Sequence, residues 1–236
     1  MFRSDDFWIK FVGTGGAFDT RLTNSSAIVF HQKRHLLIDC GHSVFPRLVE
    51  TGAINLIDGV LITHLHDDHV GSLSSLILFL DLALQRGPTK VYVPNPEFQS
   101  QLRSMLSHSL GEVEVRVDFR PIEELTGVVA IDTFGRHVPW MQTWAFAFTD
   151  GDRSIVYSGD NGDAIFLDRE IQRLNLPSPT LFHEVFFLFR MQAHAYYHDL
   201  MGLMPKYPIY GYHCDHLKAP GDNTLPLVGN FPELNF

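Results

Sequence analysis

The stretch ITHLHDDHVGSL at 62–73 puts His64, His66, Asp67, Asp68 and His69 directly after the apolar run GVLI. Alternate residues of an extended segment point to the same side, so His64 and His66 can share one metal ion. Asp68 and His69 follow where the chain turns toward a helix, within reach of a second ion nearby. Neutral imidazole suits zinc, whereas a carboxylate suits harder ions or a bridging position. Metal geometry needs a rigid support, which the end of a buried strand provides. A fold for this chain must bring further ligands to that same strand end.

Three more residues have the right chemistry in the right place. His137 follows the strand-like VVAIDTF, Asp160 follows SIVY, and His213 ends PIYGYH. His216, three residues later in HCDH, competes with His213. The rest of the chain reads as strands that pair early as hairpins (SAIVF with HLLID, TWAFAFTD with SIVYSGD) and later alternate with helices. WIKFVG precedes the glycine-rich turn GTGGAF at 13–18. GVLIT, VYV, EVRVDF, TLFHEVFF and PIYGYH supply further strands. Helices are expected over 71–85, 96–110 and 195–203. The second half echoes the first. This predicts an α/β (α+β) chain with two sheets and outer helices in one domain, 1–236, with 217–236 as an irregular Pro-, Gly- and Asn-rich strap.

Composition narrows the partners. The chain has 236 residues and a net charge of −9, from 18 basic and 27 acidic side chains, so bulk attraction to a nucleic-acid backbone is excluded as a default. The longest apolar stretch, LILFLDLAL, is interrupted by Asp81 and too short to span a bilayer, so no membrane partner is expected. The N-terminal MFRSDDFWIKF lacks the apolar run of a signal peptide. Two cysteines, Cys40 and Cys214, make no disulfide framework, which favours a reducing compartment and a cytoplasmic location. His31, His35 and His108 read as surface residues, and Asp39 as a carboxylate that orients a ligand histidine or braces a loop.

With GTGGAF, NSS at 24–26, LIDCG, THLHDDHVGSL, the isolated His137, SGD at 158–160 and the late His213, the sequence resembles the metallo-β-lactamase-fold hydrolases over nearly its whole length. The resemblance implies a four-layer αββα sandwich. It implies two divalent metal ions, zinc first with manganese or iron as alternatives: His64, His66 and His137 on one, Asp68, His69 and His213 on the other, and Asp160 between them. Asp68 also counts among the catalytic residues. The pattern is most similar to the ribonuclease Z and small-phosphodiesterase branch, whose late HE pair and further histidine correspond to His183-Glu184 and His194. By that resemblance His194 donates a proton to the leaving alkoxide, and Glu184 orients or charges it.

A metal-bridged hydroxide suits phosphodiester hydrolysis, because the ions neutralise the non-bridging oxygens. Ribonuclease Z carries a long basic arm between the equivalents of His137 and Asp160. Here that interval is filled by the hairpin TWAFAFTDGDRSIVY, so the expected substrate is a small phosphodiester and not a long nucleic acid. The closing segment resembles the bacterial and phage cyclic-nucleotide phosphodiesterases of the anti-Pycsar type. That resemblance implies opening of 3′,5′-cyclic nucleoside monophosphates to linear monophosphates, in a bacterial or phage-infected cell. Phe187, Tyr196 and Tyr197 are candidate faces for a base, with core packing as the competing role. Many relatives are dimers, so a homodimer is an expectation, with Phe231 and Phe236 of the strap as a candidate contact and packing within the chain as their competing role. Rival activities on such a site are a lactonase, thioesterase, phosphorylcholine esterase or armless ribonuclease Z-like nuclease. A non-catalytic scaffold on this fold would be expected to have lost ligands, and none is missing here.

Overall fold

A computed structural model describes residues 6–236; the first five residues of the N-terminal stretch read above against a signal peptide lie outside the described residues. Among the described residues eleven strands form two sheets. In the first, β1 (Phe7–Gly13), β2 (Ser26–His31), β3 (Arg34–Ile38), β4 (Gly59–Leu61), β5 (Thr89–Val93) and β6 (Val117–Pro121) lie in chain order. In the second the order is β11 (Ile209–Tyr212), β10 (Pro179–Glu184), β9 (Ser154–Tyr157), β8 (Trp144–Thr149) and β7 (Val128–Asp132). Both sheets follow one plan: antiparallel pairing through the first three strands, then parallel pairing to the end. The echo between halves is therefore an echo of strand direction.

That plan decides where the site can be. Strands β1, β3, β4, β7, β9 and β11 end at the loops that carry the Gly-rich turn, Asp39, His64, His137, Asp160 and His213 respectively, and β10 ends on Glu184 itself. Within each sheet these strands run the same way, so each sheet collects its functional loops along one edge.

Side-chain alternation builds the layers. In the second sheet Phe146, Phe148, Ile155, Tyr157, Phe182 and Tyr212 join the core shared with the first sheet. Their neighbours Ala145, Ala147, Val156, Leu181 and Ile209 instead pack against Ala164, Leu167, Ile171, Leu200 and Leu203. The period of two, buried on both faces, is what a sheet between another sheet and helices requires. Across the sandwich the Phe11 ring lies 5.5 Å from Phe182 and 5.4 Å from Tyr212. Helices α1 (Val44–Glu50), α2 (Asp67–Val70), α3 (Leu73–Leu78), α4 (Pro96–Leu110) and α5 (Val113–Arg116) belong to the first half, and α6 (Ala164–Arg173) and α7 (Tyr197–Leu203) to the second. This is the αββα arrangement expected from the sequence.

The helix over 96–110 starts and stops where its signals stand: Asn95 Oδ1 accepts from Phe98 N–H at 2.8 Å, Pro96 fills the first turn, and Gly111 ends it at φ 69°. Elsewhere the sequence reading shifts. The expected helix at 71–85 begins at Leu73 and ends in a wider π-type turn, Phe79–Ala83. The first residues expected as strand in EVRVDF are helical, α5, and the strand begins at Val117. His31, read as a surface residue, is buried; its Nε2 lies 2.9 Å from Thr149 O and its ring packs against Phe7 and Phe148. Cys40 and Cys214 are buried and unpaired.

The strap at 217–236 makes only short 3₁₀ turns, yet it is held at two sheet edges. Asn235 bridges Phe11 of β1, and Leu227 bridges Gly211 of β11. No helix among the described residues is long and apolar enough to cross a membrane.

Close approach of backbone fixes Gly41, beside the ligand-bearing turn. A Cβ on Gly41 would stand 1.9 Å from Asp68 O and 2.4 Å from Asp68 C. Gly41→Ala must push the turn carrying Asp68 and His69 away from β3, and should cost about 2–3 kcal/mol, the scale of overpacking a closed site. Gly202→Ala, in α7 with nothing within 4 Å, should instead gain roughly 0.5–1 kcal/mol. Urea unfolding of both variants checks the pair; equal stability of the Gly41 variant and wild type would contradict the packing argument.

Candidate metal centre

The loop edge gathers the seven predicted ligand residues. His64, His66 and His137 form one group of side-chain donors; Asp68, His69, Asp160 and His213 form another, with the atoms of each group mutually within 4.8 Å. In the first group His66 Nδ1 lies 3.1 Å from both His64 Nε2 and His137 Nε2. In the second, His69 Nε2 lies 3.3 Å from Asp68 Oδ2 and 3.3 Å from Asp160 Oδ1, and His213 Nε2 lies 3.5 Å from Asp160 Oδ2. Asp160 Oδ2 is also 3.9 Å from His137 Nε2, so this carboxylate touches both groups.

The nitrogen that faces inward is set by what the other nitrogen does. Asp39 is wholly buried at the end of β3. Its Oδ1 accepts from Thr63 N–H at 2.7 Å, and its Oδ2 from Thr63 Oγ1–H and His69 Nδ1–H, both at 2.8 Å. With its proton given to Asp39, Thr63 Oγ1 accepts from His64 Nδ1–H at 3.0 Å. His137 Nδ1–H donates to Ala193 O at 2.8 Å. Ser25 Oγ donates to Gly15 O and accepts from His213 Nδ1–H at 3.2 Å. Each of these four imidazoles thus turns Nε2 toward its group.

Backbone conformation helps to aim two of these residues. Asp39 (φ 63°) and His213 (φ 64°) both occupy the left-handed region, which is costly for a histidine and tolerated where the surroundings fix it. Around His213, Cys214 N–H is tied to Thr14 O at 3.0 Å.

The protonation states suit a cation. Burial lowers the pKa of His64, His137 and His213, the last to about 4, so all three are neutral at pH 7 with a free lone pair. Burial opposes the charge on Asp68 and Asp160, but the surrounding imidazoles outweigh it and hold both carboxyls below the ordinary aspartate range. His69 behaves differently: burial disfavours its charge, yet Asp160 and Asp39 drive its pKa well above the ordinary value. Two of the central atoms, His69 Nε2 and Asp160 Oδ1, are buried with no hydrogen-bond partner. Three neutral imidazoles and two carboxylates converge here around one positive charge, which in the metal-free protein is the His69 imidazolium with its Nε2 3.3 Å from Asp160 Oδ1. A bound metal ion supplies that charge instead, and the residues present fit it.

Glu184 and His194 stand beside the groups. Glu184 Oε1 accepts from Ala195 N–H at 2.6 Å, and Oε2 lies 3.3 Å from His194 Nδ1. His194 Nδ1 is 3.9 Å from Asp160 Oδ2. Burial raises the Glu184 pKa to about 7. Burial opposes charge on His194, but Glu184, Asp160 and Asp68 overcome it and raise its pKa to about 9. A cavity of about 460 Å³ opens over the assembly, lined by His66, Asp68, His137, Asp160, His194 and His213, with Ala17, Phe18, His42 and Val138 also in its wall.

Other sequence candidates fall elsewhere. His216 lies away from the groups, with its ring against Gly229. His198 pairs with Asp222 at 3.2 Å. Phe187, Tyr196 and Tyr197 do not line the cavity; Tyr197 is buried with its hydroxyl on Asp222. The sequence reading missed the supports Thr63, Ser25 and Ala193. The hydroxyls stand inside quoted motifs, NSS and THLH, but the Ala193 contact is a backbone carbonyl and leaves no compositional trace.

Comparison with known proteins follows the same outline. A family model described as anti-Pycsar protein Apyc1 matches residues 7–220. The anti-Pycsar protein Apyc1 of Bacillus phage vB_BsuM-Goe3 is 30% identical, over 97% of this chain and 94% of the relative. Among solved structures, the metallo-β-lactamase-fold protein YhfI from Bacillus subtilis superimposes with a TM-score of 0.70 at 19% identity, covering 91% of this chain and 88% of its own. Human short-form tRNase Z gives a TM-score of 0.64 at 18% identity, covering 89% and 94%. At those identities the two structures establish the metallo-β-lactamase fold.

Asp39→Asn should keep the fold but weaken metal affinity about 10–100-fold, the usual effect of losing an outer carboxylate, as read by chelator competition. A second expectation concerns pH. The folded pKa of His194, about 9, exceeds the ordinary histidine value of 6.5. The raised His194 pKa therefore contributes stability to the metal-free protein that is fully present below pH 6.5 and is lost as pH rises through 9. Chelator-treated wild type should lose stability more steeply between pH 7 and 9 than His194→Gln; parallel pH profiles in urea melts would refute the pairing.

Proposed function

The chain belongs to the anti-Pycsar protein Apyc1 family on the metallo-β-lactamase fold and is a metal-dependent hydrolase; from that premise we propose that it is a phosphodiesterase opening 3′,5′-cyclic nucleoside monophosphates to linear monophosphates. The observation that carries the reading is the pairing of two donor groups, joined by Asp160, with a cavity of about 460 Å³ that has room for a small diester. The interval between His137 and Asp160 is spent on the β8–β9 hairpin, which leaves no arm for a long nucleic acid.

In this reading His64, His66 and His137 hold one divalent ion and Asp68, His69 and His213 a second, with Asp160 between them; zinc fits the histidine-rich group best. When bound, such ions polarise the phosphoryl group and make water acidic enough to deprotonate near neutral pH. The chain supplies the rest. Asp39, Thr63, Ser25 and the Ala193 carbonyl hold four imidazoles in one tautomer, so the donor atoms need no rearrangement on binding. His194 keeps its Nδ1 toward Glu184 and lines the cavity beside Asp160. An imidazolium charged by a buried carboxylate is a competent donor to the departing alkoxide oxygen, and deprotonated Glu184 retains it afterwards. In this reading the enzyme works in the cytoplasm, as a homodimer.

The test is hydrolysis of a panel of 3′,5′-cyclic purine and pyrimidine mononucleotides by the metal-loaded protein, with products separated by chromatography. Linear monophosphates should form with wild type and be absent with His66→Ala, which should also lose metal. His194→Gln should keep its metal and lose about 10²–10⁴-fold in kcat, the range for removal of a general acid. A metal-loaded wild type inert on every cyclic nucleotide would move the activity to another small ester.

A further inference from the structure

We propose that Phe18 is the platform on which the nucleobase of the substrate stacks; the inference rests on the cyclic-nucleotide reading and deepens it. Phe18 is 98% exposed, and among the described residues it is the large exposed hydrophobic side chain that lines the reaction cavity. It is also the single aromatic ring there other than the histidines.

The loop that carries it is built to hold its tip still. Leaving β1 at Gly13, the chain is cross-tied by Gly15 N–H to Thr23 O at 2.8 Å and Ser25 N–H to Gly15 O at 2.9 Å. Asp19 N–H closes a four-residue turn on Gly16 O at 3.2 Å, which puts Ala17 and Phe18 at its two corner positions. On the return, Asp19 Oδ1 accepts from Arg21 N–H at 2.8 Å and Leu22 N–H at 3.0 Å, and Arg21 pairs with Asp215. Seven residues of the loop are thereby anchored around one exposed aromatic ring.

Position gives that ring its use. Gly16 is packed on His213: a Cβ there would stand 3.3 Å from His213 O and 3.7 Å from its ring. Two residues span at most about 7 Å, so Phe18 hangs close to the ligand edge. A cyclic nucleotide has its anionic phosphate at one end and a flat π-face at the other, one ribose away. With the phosphate at the imidazole and carboxylate floor, the base comes to the apolar wall of Ala17, Phe18 and Val138. Stacking there removes from water a phenyl face that the fold itself leaves bare.

The experiment is titration calorimetry of metal-loaded protein with two probes: a hydrolysis-resistant phosphorothioate analogue of a 3′,5′-cyclic nucleotide, and the 3,5-cyclic phosphate of methyl riboside, which lacks a base. Phe18→Ala should weaken binding of the first by about 5–100-fold, the range for one base–aromatic stack, and leave the second unchanged. Phe18→Trp should bind the first as wild type does. Equal affinity of Phe18→Ala and wild type for the nucleotide analogue overturns the proposal, and so does a matching loss on the base-free probe, which would mean that the loop had merely collapsed. Turnover is measured separately. A wild type that binds the analogue through Phe18 but hydrolyses no cyclic nucleotide sinks the proposed reaction and keeps the platform; one that binds no analogue sinks both.

Discussion

Asp39 stands where three pieces of chain meet. It ends β3, takes the backbone and hydroxyl of Thr63 at the end of β4, and takes the ring of His69 from α2. Through Thr63 it also sets the tautomer of His64. One buried carboxylate therefore orients a histidine in each donor group. Burial pushes its own pKa up, and His69 and Thr63 pull it back, so the charge of Asp39 and the orientation of His69 sustain each other. A left-handed backbone at Asp39, with Gly41 just beyond it against Asp68, lets the strand end press this close to the helix turn.

The same economy of position runs through both sheets. Strands that end together place their loops together, and the parallel halves of the two sheets feed one cluster from both sides of the sandwich. Neither sheet holds the whole set: His64, His66, Asp68 and His69 come from the first half, and His137, Asp160 and His213 from the second. The inter-sheet core of Phe11, Phe182 and Tyr212 rings thus fixes the spacing of the two halves of the site as well as the stability of the sandwich.

Much of this was legible in the sequence, because the metal chemistry concentrates in short motifs. A histidine-rich run after GVLI admits few explanations, and isolated His137, Asp160 and His213 each stand where an apolar alternation stops. Asp39 was readable as a supporting carboxylate for the same reason. What stayed hidden depends on contacts distant in sequence. His31 looked like a hairpin surface residue, and only the approach of Thr149 and Phe148 from the other sheet buries it. Helix α6 escaped although Ala164, Leu167 and Ile171 carry its apolar stripe, since it opens directly from the Asp160 loop. The aromatic pair Tyr196–Tyr197 suggested a base site, but its surroundings are supplied by Asp222 and α7, which no local pattern announces.

The strap that touches Phe11 through Asn235 and Gly211 through Leu227 has a temporal consequence. It joins the outermost strand of one sheet to the outermost strand of the other; the Asn235 bridge to Phe11 closes more than two hundred positions and needs both sheets in place, whereas the Leu227 bridge to Gly211 is local to the end of the second sheet. Closure of the Asn235 bridge is a late event in folding, with a large entropic separation to overcome. Until that long-range bridge closes, the edge of β1 stands open, and it is along this edge that the nascent sandwich is most able to pair with another molecule.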